Sequence, residues 1–173
     1  MEEKHDLEQF LRFFEVLPSS GDIELGVLKC HLLIEEVLTK LIEKSVRHPK
    51  FIEKARLTFA QKMQIAQSVI RGNVDAWVWV ALDKMNKARN TIGHGLTASK
   101  IIGTINVFVS FVEANENHFN ILEGNEKFTK FHYAAFAVYS RISIAADHDR
   151  LLVKMPSLLS IGASQITRGN VAD

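Results

Sequence analysis

Apolar residues recur every three or four positions along most of this chain, the spacing that gathers them on one face of an α-helix. Leu7, Phe10, Leu11, Phe14 and Leu17 predict a first helix over residues 5–17. Pro18-Ser19-Ser20-Gly21-Asp22 ends it, and Asp22 is placed to cap the next, with Glu24 in the positive first turn. That second helix is expected over residues 23–46. Leu25, Leu28, Leu32, Val37, Leu38, Leu41 and Ile42 form a wide apolar stripe on it, and Glu35, Glu36, Lys40, Glu43 and Lys44 lie opposite. His48-Pro49 breaks it, and Pro49 then suits the first position of a short helix reaching Arg56.

Thr58 and Gln61 match a capping box. Phe59, Met63, Ala66 and Ile70 follow at helical spacing, with Gly72 as the closing residue. Asn73 or Asp75 caps the next helix, whose inward positions are Trp77, Val78, Ala81, Leu82, Met85 and Ala88. Gly93 and Gly95 bend or interrupt it. Residues 97–112 are rich in β-branched side chains, which favour strands. Ile101, Ile105, Phe108 and Val112 nevertheless keep helical spacing and no partner strand exists, so a helix capped by Thr97 is expected. Residues 115–124 read as a loop or a frayed continuation. A last helix spans about residues 125–147, with Phe128, Phe131, Ala135, Val138 and Ile142 inward.

The sum is an all-α domain over residues 1–155, a helical bundle of five to six helices built from helix hairpins. From Pro156 the chain turns to Ser, Gly, Ala and Asn, which predicts a disordered tail over residues 156–173. A chain of 173 residues can bury a core without metal or disulfide staples. Its one cysteine, Cys30, lies in an apolar-periodic run and is expected as a buried thiol, in keeping with a reducing cytoplasm. Residues 1–15 are too acidic for a signal peptide, and the longest apolar run, 101–112, is too short to span a membrane.

The net charge of +1 argues against a bulk nucleic-acid binder, but its distribution is uneven. Residues 1–43 carry ten acids and four bases, whereas residues 44–71 carry seven bases and only Glu53. Residues 84–100 add Lys84, Lys87, Arg89 and Lys100 with no acid. A basic face near His94 is the functional expectation, and solvated helix faces are the plain alternative.

Chemistry concentrates in Arg89-Asn90-Thr91-Ile92-Gly93-His94, at the end of the fifth amphipathic segment. A guanidinium offers five donors and a fixed positive charge, while an imidazole titrates near neutral pH. Together they suit a phosphate, one group holding negative charge and the other moving a proton. Each residue also has a structural explanation. Arg89 complements the helix dipole, His94 beside two glycines caps the helix, and Asn90 bonds backbone in a turn. Elsewhere, His31, His48, His118, His132 and His148 show no two-histidine metal spacing, and Cys30-His31 point to different faces of a helix. Glu35 and Glu36 read as solvated or interface residues, Ser19-Ser20 has no catalytic partner, and the glycines match no phosphate loop. No metal and no cofactor is therefore expected. Lys62 is placed on the helix neighbouring the pocket.

The Arg-Asn-x-x-x-His spacing at a helix end in an all-α chain resembles the Arg-x(4–6)-His signature of HEPN domains. The upstream Leu32-Leu33-Ile34-Glu35-Glu36-Val37-Leu38, the capped Thr58-Phe59-Ala60-Gln61-Lys62-Met63 and Leu82-Asp83-Lys84-Met85 follow in an order similar to the small stand-alone members, including the mannitol operon repressor family. The likeness covers roughly residues 20–112. It implies metal-independent RNA cleavage by a homodimer with a shared cleft. His94 would be the acid/base, Arg89 the phosphoryl stabiliser and Asn90 the orienting residue. Lys62, Lys84, Lys87 and Lys100 would bind the substrate. It also implies toxin or phage-defence roles with an antitoxin or regulatory partner. The other reading is a non-catalytic regulatory module similar to the mannitol operon repressor family, whose members carry the pattern without any established cleavage. A dimer is further expected from the apolar content of the second helix and of the helix carrying Trp77 and Trp79, which exceeds what one helix face buries. No helix-turn-helix signal supports direct DNA reading.

Overall fold

Spacing and caps set the helices. The computed structural model describes residues 11–18, 21–70, 73–95, 97–116 and 129–146, and among these every regular element is a helix. We label them α1 (residues 11–16), α2 (Ile23–Ser45), α3 (Pro49–Lys54), α4 (Phe59–Val69), α5 (Ala76–Gly93), α6 (Ala98–Asn115) and α7 (residues 130–146). The chain is an all-α bundle, and with the short α3 expected at Pro49 the described helices number seven. The expectations for residues 5–10, Gly72, Phe128, His118, His148 and the tail fall outside the described residues. No helix among the described residues is long and apolar enough to cross a membrane.

Two caps match the sequence closely. Asp22 accepts from the Leu25 N–H at 3.0 Å, and Thr58 and Gln61 close a reciprocal capping box. Two others do not. Thr97 and Asp75 precede α6 and α5, but neither side chain caps its helix. Asp75 instead accepts from Arg141 of α7 at 3.1 Å. The α4 helix stops at Val69, because Ile70 is already extended.

The core lies between α2, α5, α6 and α7. Ile34, Leu38, Ile42, Val78, Leu82, Met85, Phe108, Val112 and Ile142 are fully buried within it. The α5 and α6 helices, joined by residues 94–97, pack closely on each other, and α4 lies against both α2 and α5. Phe13 of α1 sits 5.4 Å from Phe136 and 5.0 Å from Tyr139 of α7. Phe108 of α6 meets Phe131 of α7 at 5.6 Å. Where α2 crosses α7, Gly26 is obligatory. A Cβ there would stand 2.9 Å from Nε2 of the buried His132, and that ring is held from its other side by Thr129.

The rotation of α2 differs from the expected stripe. Its buried face is Val27, Cys30, His31, Ile34, Leu38 and Leu41, whereas Leu25 and Leu32 are exposed and Leu28 is half-buried. Cys30 is buried as expected, and loss of hydration pushes its thiol well above the usual range. The tryptophans also find their cover inside the chain. Trp79 is buried, and Trp77 packs on the core with the Arg141 guanidinium 5.9 Å above its ring. Trp77 is half-buried, and Leu32 of α2 and Val80 of α5 remain exposed.

Candidate functional site

The end of α5 is shaped by its glycines. The helix runs through Gly93, His94 is its C-cap, and Gly95 takes a left-handed φ of +61°. Glycine adopts that conformation without the Cβ penalty, which lets the chain turn at once into α6. The His94 N–H bonds back to Asn90 O at 3.1 Å. Its ring is exposed and makes no hydrogen bond or ion pair among the described residues, so the cap is made by its backbone and not by its imidazole.

Arg89 folds back along the same turn. One of its nitrogens donates to Asn90 Oδ1 at 3.2 Å and lies 3.6 Å from where a Gly93 Cβ would stand. Gly93 thus leaves open the side of the helix on which the guanidinium rests. No carboxylate pairs with Arg89 among the described residues. The structure brings Arg89 and Asn90 into contact and sets His94 four residues beyond Asn90 on the same face; Arg89 and His94 do not hydrogen-bond each other.

The four lysines fall into two groups. Lys84, Lys87 and Lys100 line one open cavity of about 430 Å³ between α5 and α6, together with Thr91, Gly103, Thr104 and Val107. Lys84 lies 4.9 Å over the Phe111 ring and Lys87 pairs with Asp83 at 2.7 Å, while Lys100 has no carboxylate partner among the described residues. Lys87, Thr91 and His94 follow one another at four- and three-residue steps, and His94 itself does not line the cavity. Lys62 is elsewhere. It is largely buried against α2, its ammonium 2.8 Å from Glu35 Oε1.

That ion pair belongs to a cluster which the sequence did not single out. His31 of α2 donates through Nε2–H to Asn86 Oδ1 of α5 at 3.3 Å, its Nδ1 faces Glu35 Oε2 at 3.8 Å, and its ring lies 4.2 Å from Phe59 of α4. Glu36, the neighbour of Glu35, points outward to Lys40 and Arg12, which together hold its carboxyl below the usual range. A signal for the inner cluster existed. His31 occupies a core-facing position of α2 and precedes Glu35 by one turn, and Asn86 is a half-buried polar residue next to the buried Met85.

Burial lowers the basicity of His31 and of His132, in each case as the largest cause. The consequence for stability has a definite sign. Both rings are native as neutral imidazoles, whereas the unfolded chain takes up protons below the ordinary value of 6.5. Their contribution is fully present above that pH and is lost as pH falls through the depressed native values. The urea midpoint is therefore expected to drop as the buffer goes from about pH 7.5 to about pH 5.5; a flat profile over that window would contradict the burial of both rings.

No family model, curated protein or solved structure matches the chain, so its geometry and chemistry carry the functional argument.

Proposed function

We propose that this chain is a metal-independent endoribonuclease of the HEPN type. One observation carries the reading. An exposed guanidinium without a carboxylate partner among the described residues is held beside Asn90 at the helix end that also presents His94. A free, oriented guanidinium is suited to a phosphate because its planar fork matches two phosphoryl oxygens. Arg89 stabilises the charge that builds on those oxygens as an RNA 2′-hydroxyl attacks the adjacent phosphorus. His94 relays the proton between the attacking hydroxyl and the departing 5′-oxygen, and the strand leaves a 2′,3′-cyclic phosphate. Asn90 fixes the guanidinium. Lys84, Lys87 and Lys100 supply positive charge between α5 and α6 for the flanking phosphates. A homodimer pairs two such helix ends across one cleft. A toxin or phage-defence role, with an antitoxin or regulatory protein as partner, follows from that activity.

The His94 ring has no hydrogen-bond partner among the described residues, and this favours a second reading. An imidazole that nothing orients suits a module that binds and regulates without turnover, similar to the mannitol operon repressor family. One experiment separates the two. Purified protein, dimeric by light scattering, is expected to cut single-stranded RNA in excess EDTA, and His94→Ala to remove that activity. Cutting by the variant at the wild-type rate overturns the nuclease reading. RNA left intact by the wild type, with a partner protein co-purifying, selects the regulatory one.

A further inference from the structure

Arg89, Asn90 and His94 leave one buried polar cluster unused. His31 is only 4% exposed and sits among core residues of α2. Its hydrogen bond to Asn86 spans from α2 to α5, and Asn86 precedes Arg89 and Asn90 by three and four residues on one face of α5. The groups facing the ring come from three helices. Glu35 lies on its own helix, Lys62 and Phe59 come from α4, and Asn86 comes from α5, with the exposed Arg89 one turn further along that helix. Of these, Glu35 is already held by Lys62 at 2.8 Å, which leaves Arg89 as the one cation near the ring with no carboxylate of its own among the described residues.

We infer that His31 is the inner positioning residue of the Arg89–Asn90 site, and that a phosphate held on Arg89 and a proton held on His31 favour one another.

The positioning half follows from the hydrogen bond. It fixes the rotation of α5 against α2 one turn before the guanidinium, so it sets the direction in which Arg89 and Asn90 face. His31 is too buried to touch a substrate and acts only through Asn86. The coupling half follows from charge. Burial disfavours the imidazolium most, and the positive charges of Arg89 and Lys62 add to that effect, while the Asn86 hydrogen bond and Glu35 oppose it. A phosphate on Arg89 cancels the repulsion that Arg89 exerts on the buried ring. Linkage is reciprocal, so a proton on His31 strengthens the hold of Arg89 on the phosphate by the same factor. The second N–H of the protonated ring then points at Glu35 Oε2. The inference rests on the proposed function only for the identity of the anion.

A first arm of the test needs no ligand. In the full chain, the titration of His31 is followed by NMR of nitrogen-15 histidine, its signal assigned by its loss in His31→Gln. Arg89→Glu replaces the nearby cation by an anion and is expected to raise the His31 midpoint above wild type. Lys87→Glu, the same reversal on another stripe of α5, is expected to leave it in place. An unmoved midpoint in Arg89→Glu overturns the inference even if the wild type cuts RNA. A raised midpoint in a protein that never cuts RNA sustains it while the nuclease reading fails.

The second arm uses an all-2′-deoxy oligonucleotide, which binds without being cut. Wild type is expected to bind it more tightly as pH falls towards about 5.5. His31→Gln keeps an N–H for Asn86 but carries no titrating proton, so its affinity is expected to match wild type at high pH and to lose the extra gain at low pH. His94 is present in both proteins, so the difference between the two profiles isolates His31. Identical profiles overturn the coupling.

Discussion

Arg89→Ala is expected to slow RNA cleavage by about 100- to 1,000-fold while leaving the fold intact, the range typical for removing one preorganised donor from a developing negative charge. The argument is local. Arg89 lies exposed near the end of α5, its guanidinium hydrogen-bonds Asn90, and it forms no ion pair among the described residues. Its removal leaves no buried charge unpaired, so melting temperature is expected to stay close to wild type. Arg89→Lys separates charge from geometry. The ammonium keeps the positive charge but cannot present two parallel N–H groups to a phosphate, so only part of the rate is expected to return. Single-turnover rates distinguish the roles: a loss confined to KM means that Arg89 merely holds the strand, and a loss in kcat means that it acts on the reacting phosphorus. Wild-type cleavage by Arg89→Ala removes the guanidinium from the mechanism.

The bundle was legible because its determinants are local. Asp22 and the Thr58–Gln61 pair mark helix starts with their own side chains, and Ile101, Ile105, Phe108 and Val112 held helical spacing through a β-branched run and are all buried. Gly95 marked the end of α5 for a backbone reason, its left-handed φ. What was not legible depends on how one helix is rotated against another. The apolar pattern of α2 offered two overlapping stripes, and the structure buries the one through Cys30 and His31 while exposing Leu25 and Leu32. With that rotation, His31 meets Asn86, a residue 55 positions away, and Lys62 meets Glu35. No spacing rule links residues so distant in sequence. The same holds for Asp75, which caps nothing because Arg141 of α7 takes its carboxylate, and for Trp77, which lies under that arginine. At the candidate site, adjacency in sequence is what groups Arg89, Asn90 and His94. The division of the lysines, with Lys84, Lys87 and Lys100 around one cavity and Lys62 committed to Glu35, required the packing of α4, α5 and α6.

Phe108→Ala is expected to destabilise the chain by about 3–5 kcal/mol, a large part of the roughly 5–15 kcal/mol that holds a typical domain folded. Phe108 is fully buried on α6, and its ring meets Phe131 of α7 in a tilted pair 5.6 Å apart. Truncation removes the ring from the core and leaves a cavity that rigid neighbouring helices only partly close. Phe108→Leu, which keeps most of the volume, is expected to cost less, about 1–2 kcal/mol. Urea denaturation reads both as shifts in midpoint at unchanged slope. The position also bears on function, because Lys100, Gly103, Thr104 and Val107 of the basic cavity ride on the same helix. In Phe108→Ala, cleavage is therefore expected to fall in step with the folded fraction and to recover where the variant is kept folded at low temperature. In Arg89→Ala it stays lost in a fully folded protein. A cost below about 1 kcal/mol for Phe108→Ala would mean that α6 and α7 do not share the core in which Phe108 and Phe131 meet.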